Sequence, residues 1–128
     1  MMVHGLNGQA HLIYQLKYSM ISIWTKEEFT TYVLLYVAHC NYIETEEESN
    51  YIISKIDEKL YNKIHTEIVM DTDEEVKLNK IKEYLGENKY SHDERKQLLE
   101  DIKNVIFADG TVDNSEKKVF NYLKKILN

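Results

Sequence analysis

The chain has 128 residues, the length of a single domain, and a hydrophobic share of 43%, which is enough to build one core. Its 22 acidic residues outnumber the 16 basic ones and no segment is densely basic, so we expect no nucleic-acid partner. A single cysteine excludes an internal disulfide, and no stretch reaches the ~20 apolar residues of a membrane span. Residues 1–10 also lack a secretory signal, so we expect a cytoplasmic protein.

The chain divides into two predicted parts, an N-terminal extension over residues 1–24 and a helical domain over residues 25–128. The extension contains four apolar residues at helical spacing: Leu12, Ile13, Leu16 and Met20. This spacing allows one extra amphipathic helix before the domain.

Helix starts in the domain are marked by a short acceptor side chain three residues before a glutamate. The five pairs are Thr25 with Glu28, Thr45 with Glu48, Thr72 with Glu75, Ser91 with Glu94, and Asp113 with Glu116. In such a capping box, each side chain accepts a hydrogen bond from the backbone N–H of the other residue. The pairs predict five helix starts, and Asp57 is predicted to cap a sixth helix.

Apolar periodicity predicts six helices, over about residues 26–39, 46–56, 58–68, 73–85, 92–108 and 114–127. The first is apolar almost all the way round, which predicts a buried central helix, whereas the others have one apolar face. Gly86 is predicted to end the fourth helix in a left-handed conformation. No segment alternates between apolar and polar residues, so we expect an all-α protein, a single compact array of about six helices without a β-sheet.

The first and fifth helices are followed by related segments, residues 37–47 and 106–116. Their alignment pairs Asn41 with Gly110, Ile43 with Val112, Glu44 with Asp113, and Glu47 with Glu116. A one-residue slip after Glu47 is left open. The alignment predicts two pseudo-repeated helix-loop-helix units.

The sequence FADGTVDNSE at residues 107–116, with the apolar residues that follow it, resembles the signature of the TerB-like tellurite-resistance family. Together with residues 32–48 and the acidic stretch 71–75, the resemblance covers about residues 25–128. It implies an all-helical cytoplasmic domain associated with tellurite and other chemical stress, in which acidic residues bind divalent metal. The first copy departs from the signature, because Cys40 stands where the second has Asp109.

The acidic turn of this signature has two open interpretations. In the first, it binds a divalent ion such as Ca²⁺ jointly with the related turn, since pseudo-symmetric packing would bring their carboxylates together. The predicted ligands are Asp109, Asp113, Glu116, Glu44 and Glu47. In the second, Asp113 and Glu116 form only a capping box, Gly110 supplies the turn and Asp109 is solvated. A self-contained EF-hand is not expected, because its first ligand positions would be apolar.

No catalytic motif is present, neither a phosphate-binding glycine loop nor a helical His-Glu-x-x-His pattern, so we expect no enzyme. Cys40 has no second cysteine at zinc-site spacing and is predicted to pack as a small apolar residue, while His39 is left without a role. An enzyme with an unrecognised site is a minor alternative, which would require a concave pocket holding acidic residues with perturbed pKa values. Two main functions are therefore open. One is a non-enzymatic TerB-like stress-response module that binds metal through the acidic turns. The other is a metal-free helical module that binds a protein partner through tyrosines or the extension.

Overall fold

The computed structural model describes residues 24–39, 44–87, 90–108, 110 and 112–128. These residues form six helices and no strand. The helices are α1 (Lys26–Ala38), α2 (Glu46–Lys55), α3 (Glu58–Met70), α4 (Glu74–Glu87), α5 (His92–Ile106) and α6 (Asn114–Leu127). The all-α prediction is confirmed. The extra helix predicted in the extension, and the position of Cys40, lie outside the described residues.

Helix α1 is the centre of the fold and contacts each of the five other helices. Every residue from Thr31 to Ala38 is buried, as is Phe29. This agrees with its sequence, because a helix that is apolar on all sides is stable only when covered on all sides. Each of the other helices buries an apolar stripe against α1 or its neighbours, as the periodicity predicted.

Aromatic side chains fill the end of the core where α1 begins. Phe29 of α1 stacks on Tyr84 of α4, with ring centroids 4.1 Å apart, and Tyr90 approaches Phe29 edge-on. Trp24, the last residue of the extension predicted from sequence, is buried beside Tyr32 at a centroid distance of 4.7 Å. The chain is thus packed against the core from the first residue that the structure describes.

Four of the five predicted capping boxes are present, at Thr25, Thr45, Ser91 and Asp113. The prediction for Thr72 is wrong, because the N–H of Glu75 donates to the carboxylate of Asp73 at 2.9 Å. Asp57 occupies the cap position of α3 without a side-chain hydrogen bond to the helix.

The prediction for Gly86 is also wrong, since this residue lies inside the last turn of α4, which continues to Glu87. Among the described glycines, Gly110 is the one with a positive φ, of 80°. Glycine inside a helix costs only about 1 kcal/mol relative to alanine. The burial of Tyr84 and Leu85 in the same turn is sufficient reason for the helix to continue.

The two predicted helix-loop-helix units, α1–α2 and α5–α6, share their cap geometry. Helix α1 ends at His39 with φ/ψ of −97°/3°, and α5 ends at Phe107 with −91°/2°. Helix α2 begins after Thr45 and α6 after Asp113, each with a capping box. His39 therefore corresponds to Phe107 and Thr45 to Asp113, a register one residue away from the sequence alignment.

Candidate metal centre

The candidate site lies at the first of these turns, where α1 ends and α2 begins. The N–H of His39 donates to the carbonyl of Leu35 at 3.0 Å, which fixes the end of α1. Glu44 directly precedes Thr45, whose capping box fixes the start of α2. Helix α3 packs against both α1 and α2 and supplies His65. Three separate segments thus place their side chains at one point.

His39, Glu44 and His65 form the only group of three or more potential metal ligands within residues 24–39, 44–87, 90–108, 110 and 112–128. His39 Nε2 lies 2.7 Å from Glu44 Oε1, and His65 Nε2 lies 3.8 Å from the same oxygen. The three ligand atoms all lie within 4.8 Å of one another. Both imidazoles therefore face one carboxylate oxygen.

The other carboxylate oxygen of Glu44 has different partners. Glu44 Oε2 accepts hydrogen bonds from the hydroxyls of Tyr61 and Ser49. Tyr61 Oη also lies 3.3 Å from Ser49 Oγ, so that the two hydroxyls form a small network around this oxygen. Glu44 is consequently oriented by two neutral donors on one side and presents Oε1 to the histidines.

The Glu44 carboxylate is ionised at neutral pH. Burial raises the pKa of its carboxyl, but the hydrogen bonds with His39 and Tyr61 and the two imidazoles together lower the pKa further, below its usual value. Burial and the hydrogen bond to Glu44 raise the pKa of Tyr61 to about 12. The phenol therefore stays protonated and remains a donor.

Solvent reaches the cluster from the side of His65, whose side chain is 38% exposed, compared with 21% for His39 and 9% for Glu44. The Glu44 carboxylate is thus largely shielded from solvent, whereas the His65 imidazole is partly exposed.

Among the described residues, the metal ligands predicted from sequence other than Glu44 do not belong to this cluster. Asp113 Oδ1 accepts from the N–H of Glu116 at 2.8 Å, and Glu116 Oε1 accepts from the N–H of Asp113 at 3.1 Å. These two carboxylates thus form the capping box of the second interpretation. Glu47 is exposed in the first turn of α2, and Asp109 lies outside the described residues. Of the five predicted ligands, Glu44 alone joins a group of potential ligands among the described residues.

The acidic stretch at residues 71–75 also has local partners. Asp71 accepts from Tyr32 Oη at 2.8 Å and pairs with Lys80, which also lies 3.5 Å from Glu67. Asp73 caps α4. Helix capping and ion pairing therefore account for Asp71 and Asp73.

Sequence reasoning missed both histidines of the cluster. His39 precedes Cys40, and no cysteine-based zinc motif surrounds this pair. His65 shares a face of α3 with Tyr61 and Ile68 and belongs to no metal-binding motif. A usable signal was the pairing of His39 and Glu44 across a short loop. The third member is brought in by the packing of α3 on α1, which no local motif encodes.

In the described part of the chain, no helix has the length and apolar composition needed to cross a membrane. Comparison of the chain with protein-family models, curated proteins and solved structures gave no match.

Proposed function

We propose that this protein is a non-enzymatic, TerB-like stress-response module that binds a divalent metal ion at His39, Glu44 and His65. The observation that carries the metal site is the convergence of two imidazole nitrogens on one carboxylate oxygen of Glu44, whose side chain is largely shielded from solvent. Imidazole and carboxylate are both ordinary ligands of divalent metals, and three of them are sufficient to hold an ion.

Electrostatics supports an ion at this point. The Glu44 carboxylate is mostly shielded from water, and its partners Tyr61 and Ser49 are neutral hydroxyls. A nearby cation stabilises a shielded carboxylate more than it stabilises an exposed carboxylate, because water screens the attraction less. A divalent ion bound to the histidines would supply this positive charge.

The stress-response role rests on the TerB-like resemblance at residues 107–116 and on the all-helical fold that the family implies. The proposed site differs from the one that the resemblance implied. The predicted ion was shared between the two acidic turns, whereas the proposed site lies at the turn between α1 and α2 alone. It retains Glu44 and takes His39 and His65 in place of the other predicted ligands.

Calorimetric titration of the chelator-stripped full chain tests the proposal. We expect saturable binding of at least one ion from a panel of Zn²⁺, Mn²⁺, Ca²⁺ and Mg²⁺, with one ion per chain. The double variant His39→Ala, His65→Ala should lose this binding while keeping its helical circular dichroism, because neither histidine belongs to the buried core.

Matched variants separate this site from the other candidates. The triple variant Asp109→Asn, Asp113→Asn, Glu116→Gln should keep the binding, because it leaves the proposed ligands unchanged. The start of α6 should also stay folded, since asparagine and glutamine can still form the capping box. His92→Gln and Cys40→Ser should keep it too. Binding that survives the double histidine variant and disappears in the triple acidic variant would place the ion at the acidic turn and contradict the proposed site.

A metal-free interaction module is the second candidate function, favoured by two exposed apolar residues at the end of α3, Val69 and Met70, which are 53% and 77% exposed. None of the seven tyrosines in the described ranges is fully exposed, so this surface is a better candidate than the tyrosines there. A folded wild-type protein that binds no cation of the panel would favour this second function.

A further inference from the structure

We infer that the ion belongs to the zinc class, a borderline divalent transition metal, and that Glu44 ligates it through Oε1 alone while Ser49 and Tyr61 hold Oε2. The inference rests on the proposed metal-binding function and names the ligand of the same site. It replaces the expectation of Ca²⁺ that the acidic turns suggested.

The donor set favours this class. Ca²⁺ takes six to eight oxygen ligands, and Mg²⁺ requires a near-octahedral oxygen shell. The cluster offers two imidazole nitrogens and one carboxylate oxygen, a combination that suits zinc and its neighbours. A hard cation would have to take most of its shell from water.

The hydrogen bonds to Glu44 strengthen the argument, because they determine how the carboxylate can ligate. Oε2 already accepts from Ser49 of α2 and Tyr61 of α3, so the bidentate mode common for Ca²⁺ would cost at least one of these hydrogen bonds. Oε1 is oriented toward the two Nε2 atoms. Ser49 and Tyr61 therefore act as positioning residues, of the kind that orient ligands around metal sites.

The two distances from the histidines to Glu44 Oε1 need only a small adjustment, and the two histidine ligand atoms already lie within 4.8 Å of each other. With zinc bonds of about 2.0 to 2.1 Å, tetrahedral ligand atoms lie about 3.3 Å apart. The distance from His39 Nε2 to Glu44 Oε1, 2.7 Å, must lengthen by about half an ångström. The distance from His65 Nε2 to the same oxygen, 3.8 Å, must shorten by about as much. Side-chain rotation supplies such a change.

The test uses the full chain, with Zn²⁺ for affinity and Co²⁺ as a spectroscopic probe, since tetrahedral Co²⁺ absorbs strongly in the visible. We expect Zn²⁺ to bind about 100-fold or more tightly than Ca²⁺ or Mg²⁺, given the donor set. Tyr61→Phe and Ser49→Ala should each weaken Zn²⁺ binding about 10- to 100-fold and alter the Co²⁺ spectrum. Tyr51→Phe is the matched control, because Tyr51 also bonds a carboxylate, that of Asp101, away from the cluster.

The outcomes distinguish the two proposals. If no cation binds, the proposed function and this inference both fail. If Ca²⁺ or Mg²⁺ binds as tightly as Zn²⁺, or if Tyr61→Phe and Ser49→Ala leave affinity and spectrum unchanged, the inference is overturned while the metal-binding function stands. A weak, octahedral-type Co²⁺ spectrum would likewise overturn the tetrahedral site.

Discussion

The turns between α1 and α2 and between α5 and α6 have the same helix caps and different chemistry. Each follows a helix end with nearly identical dihedral angles and precedes a capping box whose glutamate is buried, Glu48 in one unit and Glu116 in the other. Where the first turn has His39, the second has the exposed apolar residue Phe107. Cap geometry is thus set by a few positions, which leaves the others free to differ.

Glu44 and Val112 illustrate this freedom, because both directly precede the cap residue of the following helix. Val112 packs against the core, whereas Glu44 faces two histidines and two hydroxyls. The family-like signature lies in the second unit, whereas the cluster of potential ligands is formed by the first unit together with α3. Similarity of fold and location of a site are therefore separate questions, as is general for sites built on common scaffolds.

The largest expected effect tests whether the two units contribute equally to the core. Leu35→Ala in α1 should destabilise the protein by about 4 to 5 kcal/mol and Leu98→Ala in α5 by about 2 to 3 kcal/mol, within the usual range for such truncations. Both leucines are buried, but α1 is enclosed by five helices and has less room to collapse around the cavity. Urea unfolding measures both values. Equal losses would mean that the units share the core evenly.

An intermediate effect tests the shared caps. Thr45→Ala and Asp113→Ala should each cost about 1 kcal/mol, because each removes the acceptor for the third N–H of its helix. Thermal or urea unfolding provides the measurement, with Thr72→Ala as the control that should change little. Asp73→Ala should cost about as much as Thr45→Ala. A large loss of stability in Thr72→Ala would instead support Thr72 as the cap of α4, as predicted from sequence.

The smallest effect concerns the link between the units, an exposed ion pair from Lys26 at the start of α1 to Glu94 at the start of α5, with atoms 2.7 Å apart. The hydrogen bond from Lys26, and then those at Ser91, lower the pKa of Glu94 to about 2. Because its pKa is lower in the folded state, Glu94 contributes stability above its ordinary pKa of 4.5, and this contribution is lost as the pH falls toward 2.

Glu94→Gln keeps the capping geometry and removes the charge. Urea unfolding at about pH 6 should show a slightly less stable variant, and the difference should shrink as the pH falls through about 2, the pH at which wild-type Glu94 in the folded protein becomes protonated. High salt at pH 6 should also reduce the difference. A difference that is independent of both pH and salt would assign the effect to the cap instead of the ion pair.

Local features of the fold were predictable because they depend on residues close in the chain. The four capping boxes and the burial of α1 follow from three-residue spacing and apolar content. Thr72 failed because Asp73, one residue later, is a competing cap, and Gly86 failed because packing outweighs a small helix penalty. The alignment of the units failed by one residue because apolar residues on both sides of each turn fit two registers.

The site was predictable only in Glu44. Its two histidines come from the end of α1 and from α3, and their meeting depends on how α3 packs across α1. Neither the charge pattern nor the spacing of motifs in the sequence predicts how α3 packs on α1. A carboxylate between two imidazoles is a tertiary feature, whereas the acidic turn that drew attention in the sequence is explained by local hydrogen bonds of a helix start.

The central place of α1 has a consequence for synthesis on the ribosome. Among the described helices α1 is made first, and beyond its first turn it is apolar on almost every side, yet α5, one of its main partners, is translated much later. Contacts between segments distant in the chain form slowly, and apolar surface left open in the meantime is prone to aggregation. We therefore expect the apolar surface of α1 to be covered in the nascent chain, by neighbouring segments or by a chaperone, until α5 has emerged from the ribosome.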